Sequence, residues 1–311
     1  MTVNGLRLLI YDVRSAGFSS ENRLEEGRLE VSEEAARECM GDPALASVHL
    51  SWVAPGSSTR IVKVLDAVQP RTKGPGGAGI FPGTLSAAVP QGRGETHALS
   101  GVAVVAAGHL PRAQEALVEM SGPAAGLSPL GSTHNLVVEF SPSEGATWEE
   151  VEAALRRGLL RLAAGLAEAA LRAPPDRILQ LPEVRSGARN VLPAVGAITN
   201  LQTQGAFKDT FVYGRSFSAS LPTAVDPNEL EDGAVVSGQL GHPGLKNPTY
   251  LYQNHPVVRA LRERDGKDLR FAGLVLSPEP VEQAQKELIS AHAARLCSAL
   301  SWDAAIVTKE G

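Results

Sequence analysis

Two residues in a segment rich in glycine and proline have side chains that could carry out chemistry. His242 could act as a general acid and base, because an unperturbed imidazole titrates near neutral pH. Lys246 could supply the amine of a Schiff base if it is buried. Each also has a simpler interpretation, as an exposed or hydrogen-bonding histidine and as a solvated lysine. We predict His242 and Lys246 as the catalytic residues.

The polar residues around these two are predicted to bind the substrate. Asn200, Gln202 and Gln204 carry amide side chains at alternate positions, and these share one side if the chain is extended there. They could bind a carboxylate or amide, or cap the backbone of a loop. Tyr250 and Tyr252 are more typical of one core and one surface ring than of a cage for an alkylammonium ion. The predicted substrate-binding residues are Asn200, Gln202, Gln204, Ser237, Gln239, Asn247, Tyr250 and Asn254.

A predicted strand precedes each of the two polar segments, residues 199–205 and 238–254. An apolar run from Ala234 to Val236 leads into one segment, and a strand candidate over residues 191–198 leads into the other. Ligands of parallel sheets bind beyond the carboxyl ends of the strands. We therefore expect residues 199–205 and 238–254 to meet around one pocket that binds a small zwitterion or amide.

The elements around these segments predict an α/β fold with two domains. Residues 1–135 are expected to form a β-rich domain with glycine-rich loops, because short strand-like segments are separated by turn residues there. Residues 136–311 are expected to form an α/β domain that carries the candidate site. Its strand candidates, including residues 178–181 and 234–236, occur among helical segments, which predicts a mostly parallel sheet with flanking helices.

Two local signals have a structural interpretation. Thr147, followed three residues later by Glu150, predicts the capped start of a long amphipathic helix that ends at Pro174. Residues 73–83 contain five glycines, but their spacing matches neither a Walker loop nor a dinucleotide fingerprint. We expect these residues to form a structural loop.

Composition excludes several classes of partner. The 311 residues carry a formal net charge of -5, with 29 Lys and Arg interspersed among 34 Asp and Glu, so no basic face favours nucleic acid or anionic lipid. The two cysteines, Cys39 and Cys297, lie far apart without metal-ligand spacing, so no metal is expected. Neither a signal segment nor a run of about 20 apolar residues is present, and we predict a cytoplasmic protein.

Short motifs in a fixed order run through nearly the whole chain. They are Pro75-Gly76-Gly77, Gly79-Ile80-Phe81-Pro82-Gly83, Gly92-Arg93-Gly94 with Thr96-His97, Met120-Ser121-Gly122-Pro123, residues 199–205, Val236-Ser237-Gly238, Lys246-Asn247, Tyr250 and Gln253-Asn254. Together they resemble component B of the glycine, sarcosine and betaine reductases, in the subunit made as a proprotein, and similar runs occur in the D-proline reductase proprotein. The resemblance implies a chain that cleaves itself at an Asn-Cys pair after Ser-Gly, which turns the cysteine into a pyruvoyl group. That group is thought to form a Schiff base with an amine substrate, while a partner's selenol or thiol displaces the amino group.

The sequence departs from this pattern at the processing site. With Ser237-Gly238 and Lys246-Asn247 kept in register, Gln239 and Leu240 stand where the family has Asn-Cys. A leucine has no heteroatom to attack the preceding carbonyl, so it cannot form the ester or thioester from which a pyruvoyl group arises. Self-cleavage at this bond and a pyruvoyl cofactor are therefore not expected, and we predict no cofactor.

The site residues and the family resemblance leave three functions open. The first is an enzyme subunit that is not self-processed and acts with a partner on a small amino-acid-like or N-modified substrate, by reductive C–N cleavage or related chemistry in specialised bacterial metabolism. The second is a non-catalytic scaffold or regulatory subunit, and the third is a small-ligand binding protein. The family's proproteins continue beyond a Glu-Gly pair like Glu310-Gly311, so we expect a second subunit or a second copy to complete the sheet.

Overall fold

A computed structural model describes residues 5–108, 116–184, 191–203, 210–237 and 246–310. Gln204, Gln239, Leu240 and His242 lie outside the described residues. The strands are β1 (Gly5–Asp12), β2 (Ser15–Ser19), β3 (Arg23–Glu25), β4 (Arg28–Ser32), β5 (Leu45–Val53), β6 (Arg60–Val62), β7 (Val64–Val68), β8 (Arg71–Thr72), β9 (Gly94–Ser100), β10 (Val102–Ala107), β11 (Leu117–Glu119), β12 (His134–Pro142), β13 (Arg177–Pro182), β14 (Ala194–Gln202), β15 (Thr210–Val212), β16 (Arg215–Ser216), β17 (Thr223–Val225), β18 (Val235–Ser237), β19 (Arg270–Glu279) and β20 (Ala304–Lys309). The α-helices are α1 (Glu33–Cys39), α2 (Trp148–Glu168), α3 (Asn228–Glu231), α4 (Thr249–Gln253), α5 (Pro256–Arg264) and α6 (Gln283–Ala299).

The long helix α2 packs on two four-stranded sheets. One sheet has the strand order β13-β1-β9-β8 and the other β5-β12-β10-β7. The helix begins as the sequence predicts, because Thr147 and Glu150 cap each other: Oγ1 of Thr147 accepts from the Glu150 N–H, and Oε2 of Glu150 accepts from the Thr147 N–H at 2.8 Å. Its apolar stripe, from Val151 to Ala167, is buried in the largest hydrophobic core.

Strand β13 joins the N-terminal sheet and not the parallel sheet for which residues 178–181 were predicted. It pairs antiparallel with β1, in a register that places Leu181 opposite Leu6. The composition of a strand does not specify which strand it pairs with. The chain reaches β13 through α2, which packs on the N-terminal sheet, and this path places β13 beside β1. The domain boundary between residues 135 and 136 stays a prediction. It falls within β12, which pairs with β10 and β5, and the helix α2 that follows packs on N-terminal strands.

The C-terminal part contains the mostly parallel sheet that the sequence predicts. Its strand order is β17-β19-β14-β20, and β14 runs parallel to both β19 and β20. Helices α5 and α6 pack on β19. The apolar run before Ser237 forms β18, but it pairs with β15 in a separate three-stranded sheet. The α/β fold class is confirmed, since helices and several mixed sheets alternate along the chain.

The glycine-rich loop connects the two parts of the chain. Gly83 (φ +81°) and Gly214 (φ +71°) lie backbone to backbone, and a Cβ added to Gly83 would stand 2.0 Å from the carbonyl oxygen of Tyr213. Within the described residues, no helix is long and apolar enough to cross a membrane. The same residues contain no group of three or more His, Cys, Asp and Glu side chains placed to hold a metal ion.

Candidate functional site

Five polar side chains are buried together where β14 and β20 end, at the carboxyl edge of the parallel sheet. We call this group the buried polar cluster, and each member is at most 7% exposed. The members are Asp66, Lys246, Thr249, Tyr252 and Glu310. Buried polar groups of this density are stable only when they bond to one another.

Glu310 is the hydrogen-bond acceptor at the centre of the buried polar cluster. Its Oε1 accepts from the Tyr252 hydroxyl and from the Asn247 N–H at 3.3 Å, and its Oε2 accepts from the Gln202 N–H at 2.8 Å. Burial raises the pKa of the Glu310 carboxyl, and the bond from Tyr252 and the charge of Lys246 partly offset that rise. One carboxylate therefore joins the end of β14 to the chain that follows Lys246, at Asn247 and Tyr252.

Asp66 forms the second carboxylate of the cluster. Its Oδ1 accepts from the backbone N–H groups of Ala67 and Thr249, both at 2.8 Å, and its Oδ2 accepts from Thr249 Oγ1 at 2.8 Å. That hydroxyl in turn accepts from the Ser237 N–H at 3.0 Å, which ties the end of β18 to Asp66. Burial raises the pKa of the Asp66 carboxyl to about 6, although the bonds from Thr249 and the charge of Lys246 lower it.

Lys246 supplies the positive charge of the cluster. It is 7% exposed, and its charge lowers the pKa values of both Asp66 and Glu310. Burial, followed by the charge of Glu310, raises the pKa of Tyr252 well above its usual value, so the phenol stays protonated and donates. The charge of one ammonium group thus stabilises two buried carboxylates. Its loss would leave buried negative charge uncompensated.

His255, which bonds Thr199 of β14, has a structural role. Nδ1 of His255 accepts from the Val258 N–H at 3.3 Å and caps α5, so the proton of the neutral ring sits on Nε2, which donates to Thr199 Oγ1 at 2.9 Å. Burial lowers the pKa of His255 to about 4, so the ring is neutral at pH 7. His255 is therefore a helix cap and not an acid–base group.

A small cavity borders the buried polar cluster. Its volume is about 140 Å³, and Asp66, Ser237, Lys246 and Asn247 supply its polar walls. Val64, Leu130 and other apolar side chains close the remaining sides. This volume is well below the roughly 300–1,000 Å³ of pockets for drug-sized ligands, so it suits a molecule of a few heavy atoms.

The structure places the predicted site residues in two different regions. Gln202, Ser237, Lys246 and Asn247 lie at the buried polar cluster. Asn200 shares a face with Gln202, because β14 continues through this segment in register with β19 and β20. Gln204, Gln239 and His242 lie outside the described residues.

Tyr250 and Asn254 line a second cavity of about 540 Å³ beside Arg71. The separation arises in α4, where Tyr250 and Tyr252 point to different sides of the helix.

Sequence reasoning missed most of the cluster. Asp66 carried a signal, since it interrupts the apolar run of β7 and a charge inside such a run needs a partner. Thr249 and Tyr252 gave no distinct signal, because their roles depend on the turn of α4. Glu310 gave none either, because its partners are distant in sequence.

Comparison with known proteins agrees with the motifs. The chain matches the family model of glycine/sarcosine/betaine reductase component B subunits over residues 5–311. It is 36% identical over 305 residues to the glycine reductase complex component B subunits alpha and beta of Acetoanaerobium sticklandii, an alignment that covers 96% of this chain and 71% of that protein. It is 34% identical over 311 residues to the sarcosine reductase complex component B subunit alpha of Peptoclostridium acidaminophilum, with 98% of this chain and 72% of that protein covered.

A third relative comes from the same organism. The betaine reductase complex component B subunit alpha of Peptoclostridium acidaminophilum is 28% identical over 318 residues, with 98% of this chain and 72% of that protein covered. No solved structure gives a significant match. The names of these relatives support a subunit of a multi-protein reductase complex. The chain belongs to the family of glycine/sarcosine/betaine reductase component B subunits.

Proposed function

We propose that this chain is a reductase-complex subunit that is not self-cleaved and that binds a small amino-acid-like or N-modified substrate beside the buried polar cluster. The observation that carries the proposal is the small cavity walled by Lys246 and Asp66, which presents one charge of each sign. A zwitterion needs that combination, because its carboxylate and its amine must each meet an opposite charge when they leave water.

The environment of Lys246 favours binding over covalent chemistry. An imine forms only from a neutral amine, whereas the charge of Lys246 is balanced by Asp66 and Glu310. We therefore assign Lys246 to holding the substrate carboxylate. Asp66, which the hydrogen bonds of Thr249 fix in place, faces the same cavity and is assigned to the substrate amine.

Any reductive step on the bound substrate requires electrons from a partner. The chain has two cysteines, Cys39 in α1 and Cys297 in α6, and neither belongs to the buried polar cluster. Leu240 cannot generate a pyruvoyl group. A thiol- or selenol-bearing partner would thus complete C–N cleavage, and such a partner fits the complexes named for the relatives.

Calorimetric titration with glycine, sarcosine and betaine tests the binding proposal, on the purified chain and on its co-purified complex. At least one ligand should bind saturably, and Lys246→Met should weaken that binding about tenfold or more. The matched control is Lys286→Met on the exposed face of α6, which should leave the affinity unchanged. Equal affinity in the Lys246→Met variant and the unchanged protein would contradict the proposal, as would the absence of binding to chain and complex alike.

Leu240 favours a second candidate, a scaffold that holds a catalytic partner without chemistry of its own. Turnover by the assembled complex distinguishes the two. A scaffold predicts that complexes containing the Lys246→Met variant keep full activity, whereas a substrate-binding subunit predicts a raised KM.

A further inference from the structure

A second cavity, which we call the arginine pocket, lies between one face of the N-terminal sheet and the helices α4 and α5. Its volume is about 540 Å³. The charged side chains that line it are Arg71, Arg177, Arg259, Arg262, Glu231 and Glu263. Four guanidinium groups therefore face two carboxylates, in a chain whose formal net charge is -5. Such a local excess of positive charge in an acidic protein is a focus for anions.

The floor of the arginine pocket is apolar. Leu8 and Ile10 of β1 pack with Ala98 of β9 on one face of the sheet. Leu179 of β13 lies directly opposite Leu8 and faces the same side. A ligand in this pocket thus meets an aliphatic surface below and cations above.

Arg71 does not supply the free positive charge. It is fully buried, and it donates to Gln69 Oε1 at 2.8 Å, to Glu231 Oε2 at 2.5 Å and to the Gln253 carbonyl at 3.1 Å. Its ion pair with Glu231 balances both charges. Arg177 is paired as well, with Asp12 at 2.8 Å. The pocket arginines without an ion pair among the described residues are Arg259 and Arg262, both on α5.

Arg262 and Arg259 supply donors that protein groups do not fully use. Arg262 donates from one terminal nitrogen to Asn228 Oδ1 at 2.6 Å, but its Nε is buried and has no hydrogen-bond partner among the described residues. Arg259 lies at the more exposed rim of the arginine pocket and donates to Asn254 Oδ1. Burial lowers the pKa of the Arg262 guanidinium, and the charges of Glu231, Asp226 and Asp265 offset only part of that effect. A buried donor without an acceptor is destabilising, and a bound anion would supply the acceptor.

Tyr250 adds a neutral donor to the same wall. Its ring packs on apolar residues of the neighbouring core, while its hydroxyl lies within the electrostatic reach of Arg71 and Arg259. Burial raises the pKa of this phenol, so the hydroxyl stays protonated at neutral pH.

We propose that the arginine pocket is a binding site for a small organic oxyanion, a carboxylate or phosphate group carried on a short apolar body. Arg259 and Arg262 bind the oxygen atoms, in the bidentate manner that suits a guanidinium, and Leu8, Ile10 and Leu179 contact the apolar body. The site differs from the one proposed beside Lys246, because the two share no lining residue.

Calorimetric titration of the full chain at low ionic strength tests this inference, with acetate, butyrate and inorganic phosphate as probes and butylammonium as the cation of matched shape. Arg262→Gln and Arg259→Gln are each expected to weaken anion binding about tenfold or more. Arg264→Gln is the control, since Arg264 lies on the same helix but pairs with Asp268 at the exposed surface. The Arg259 variant keeps the test valid if the more buried Arg262 variant does not fold.

Arginine side-chain NMR gives an independent measurement, because the buried Nε–H of Arg262 should shift when an anion binds. Tighter binding of butyrate than of acetate would identify a carboxylate on an apolar body, whereas preferential binding of inorganic phosphate would identify a phosphate source. The inference is overturned if no anion binds saturably, if butylammonium binds as well as butyrate, or if Arg264→Gln weakens binding as much as Arg262→Gln.

Discussion

Replacement of Lys246 by methionine should destabilise the protein strongly and in a pH-dependent way. Methionine keeps much of the length and apolar stem of lysine but removes the ammonium whose charge acts on both Asp66 and Glu310. Both carboxylates are buried, at 2% and 4% exposure, so water cannot take over the role of the missing charge. Loss of one partner from a buried ionic group costs roughly 3–5 kcal/mol.

The sign of the pH dependence follows from the two carboxyl groups. Without Lys246 their pKa values rise further above the unfolded values, and each unit of rise is about 1.4 kcal/mol of lost stability where the group is ionised in the unfolded state. Asp66 already titrates at about 6 in the native protein. At pH 8 the variant carries the whole penalty, whereas at pH 5 Asp66 takes up a proton and the penalty becomes smaller.

Urea unfolding at pH 5 and at pH 8 measures both effects. Lys309→Met is the control, because Lys309 is 59% exposed and its pair with Glu279 is a surface ion pair worth about 0–1 kcal/mol. We expect a deficit of about 3 kcal/mol or more for Lys246→Met at pH 8 and a clearly smaller one at pH 5. A deficit no larger than that of the control, or one that is equal at both pH values, would refute the role given to Lys246.

Three further predictions concern structural residues. His255→Asn should keep a helix cap but remove a buried neutral imidazole whose pKa is about 4. Because the unfolded ring titrates near 6.5, the native protein should lose about 3 kcal/mol of stability relative to this variant as the pH falls from 6.5 to 4. Urea unfolding measures this difference. Gly83→Ala should lower the melting temperature far more than Gly145→Ala, because both glycines have φ +81° but only Gly83 meets another backbone, and equal shifts would contradict this contact. Thr147→Ala should cost about 1 kcal/mol through loss of the capping box, and a change below the error of chemical denaturation would show that the cap contributes little.

Local signals give the starts of two helices, α2 and α5, whereas α3 and α4 were not predicted. The capping box at Thr147 gives the start of α2, and Pro256 at the first turn of α5 gives the start of that helix. These signals depend on residues within four positions of one another, so the sequence contains them in full. The parallel order of β14, β19 and β20 was also predictable, because helices connect β19 to β20 and precede β19.

Pairing between distant segments was less predictable. The partner of β13 depends on how far α2 carries the chain, and β18 joins β15, which is too short to show a pattern. For the same reason the sequence indicated one site where the structure separates two groups of polar residues. The helical turn of α4 sends Tyr252 towards Glu310 and Tyr250 towards Arg71. No spacing rule for an extended segment could have shown this.

Intact-mass analysis of the purified protein tests the central claim that the subunit works without self-cleavage. The account predicts a single species of 32.6 kDa, because Leu240 has no atom that could attack the carbonyl carbon of Gln239. Two fragments that meet between Gln239 and Leu240, or a fragment that carries a reducible carbonyl group at its N-terminus, would contradict it.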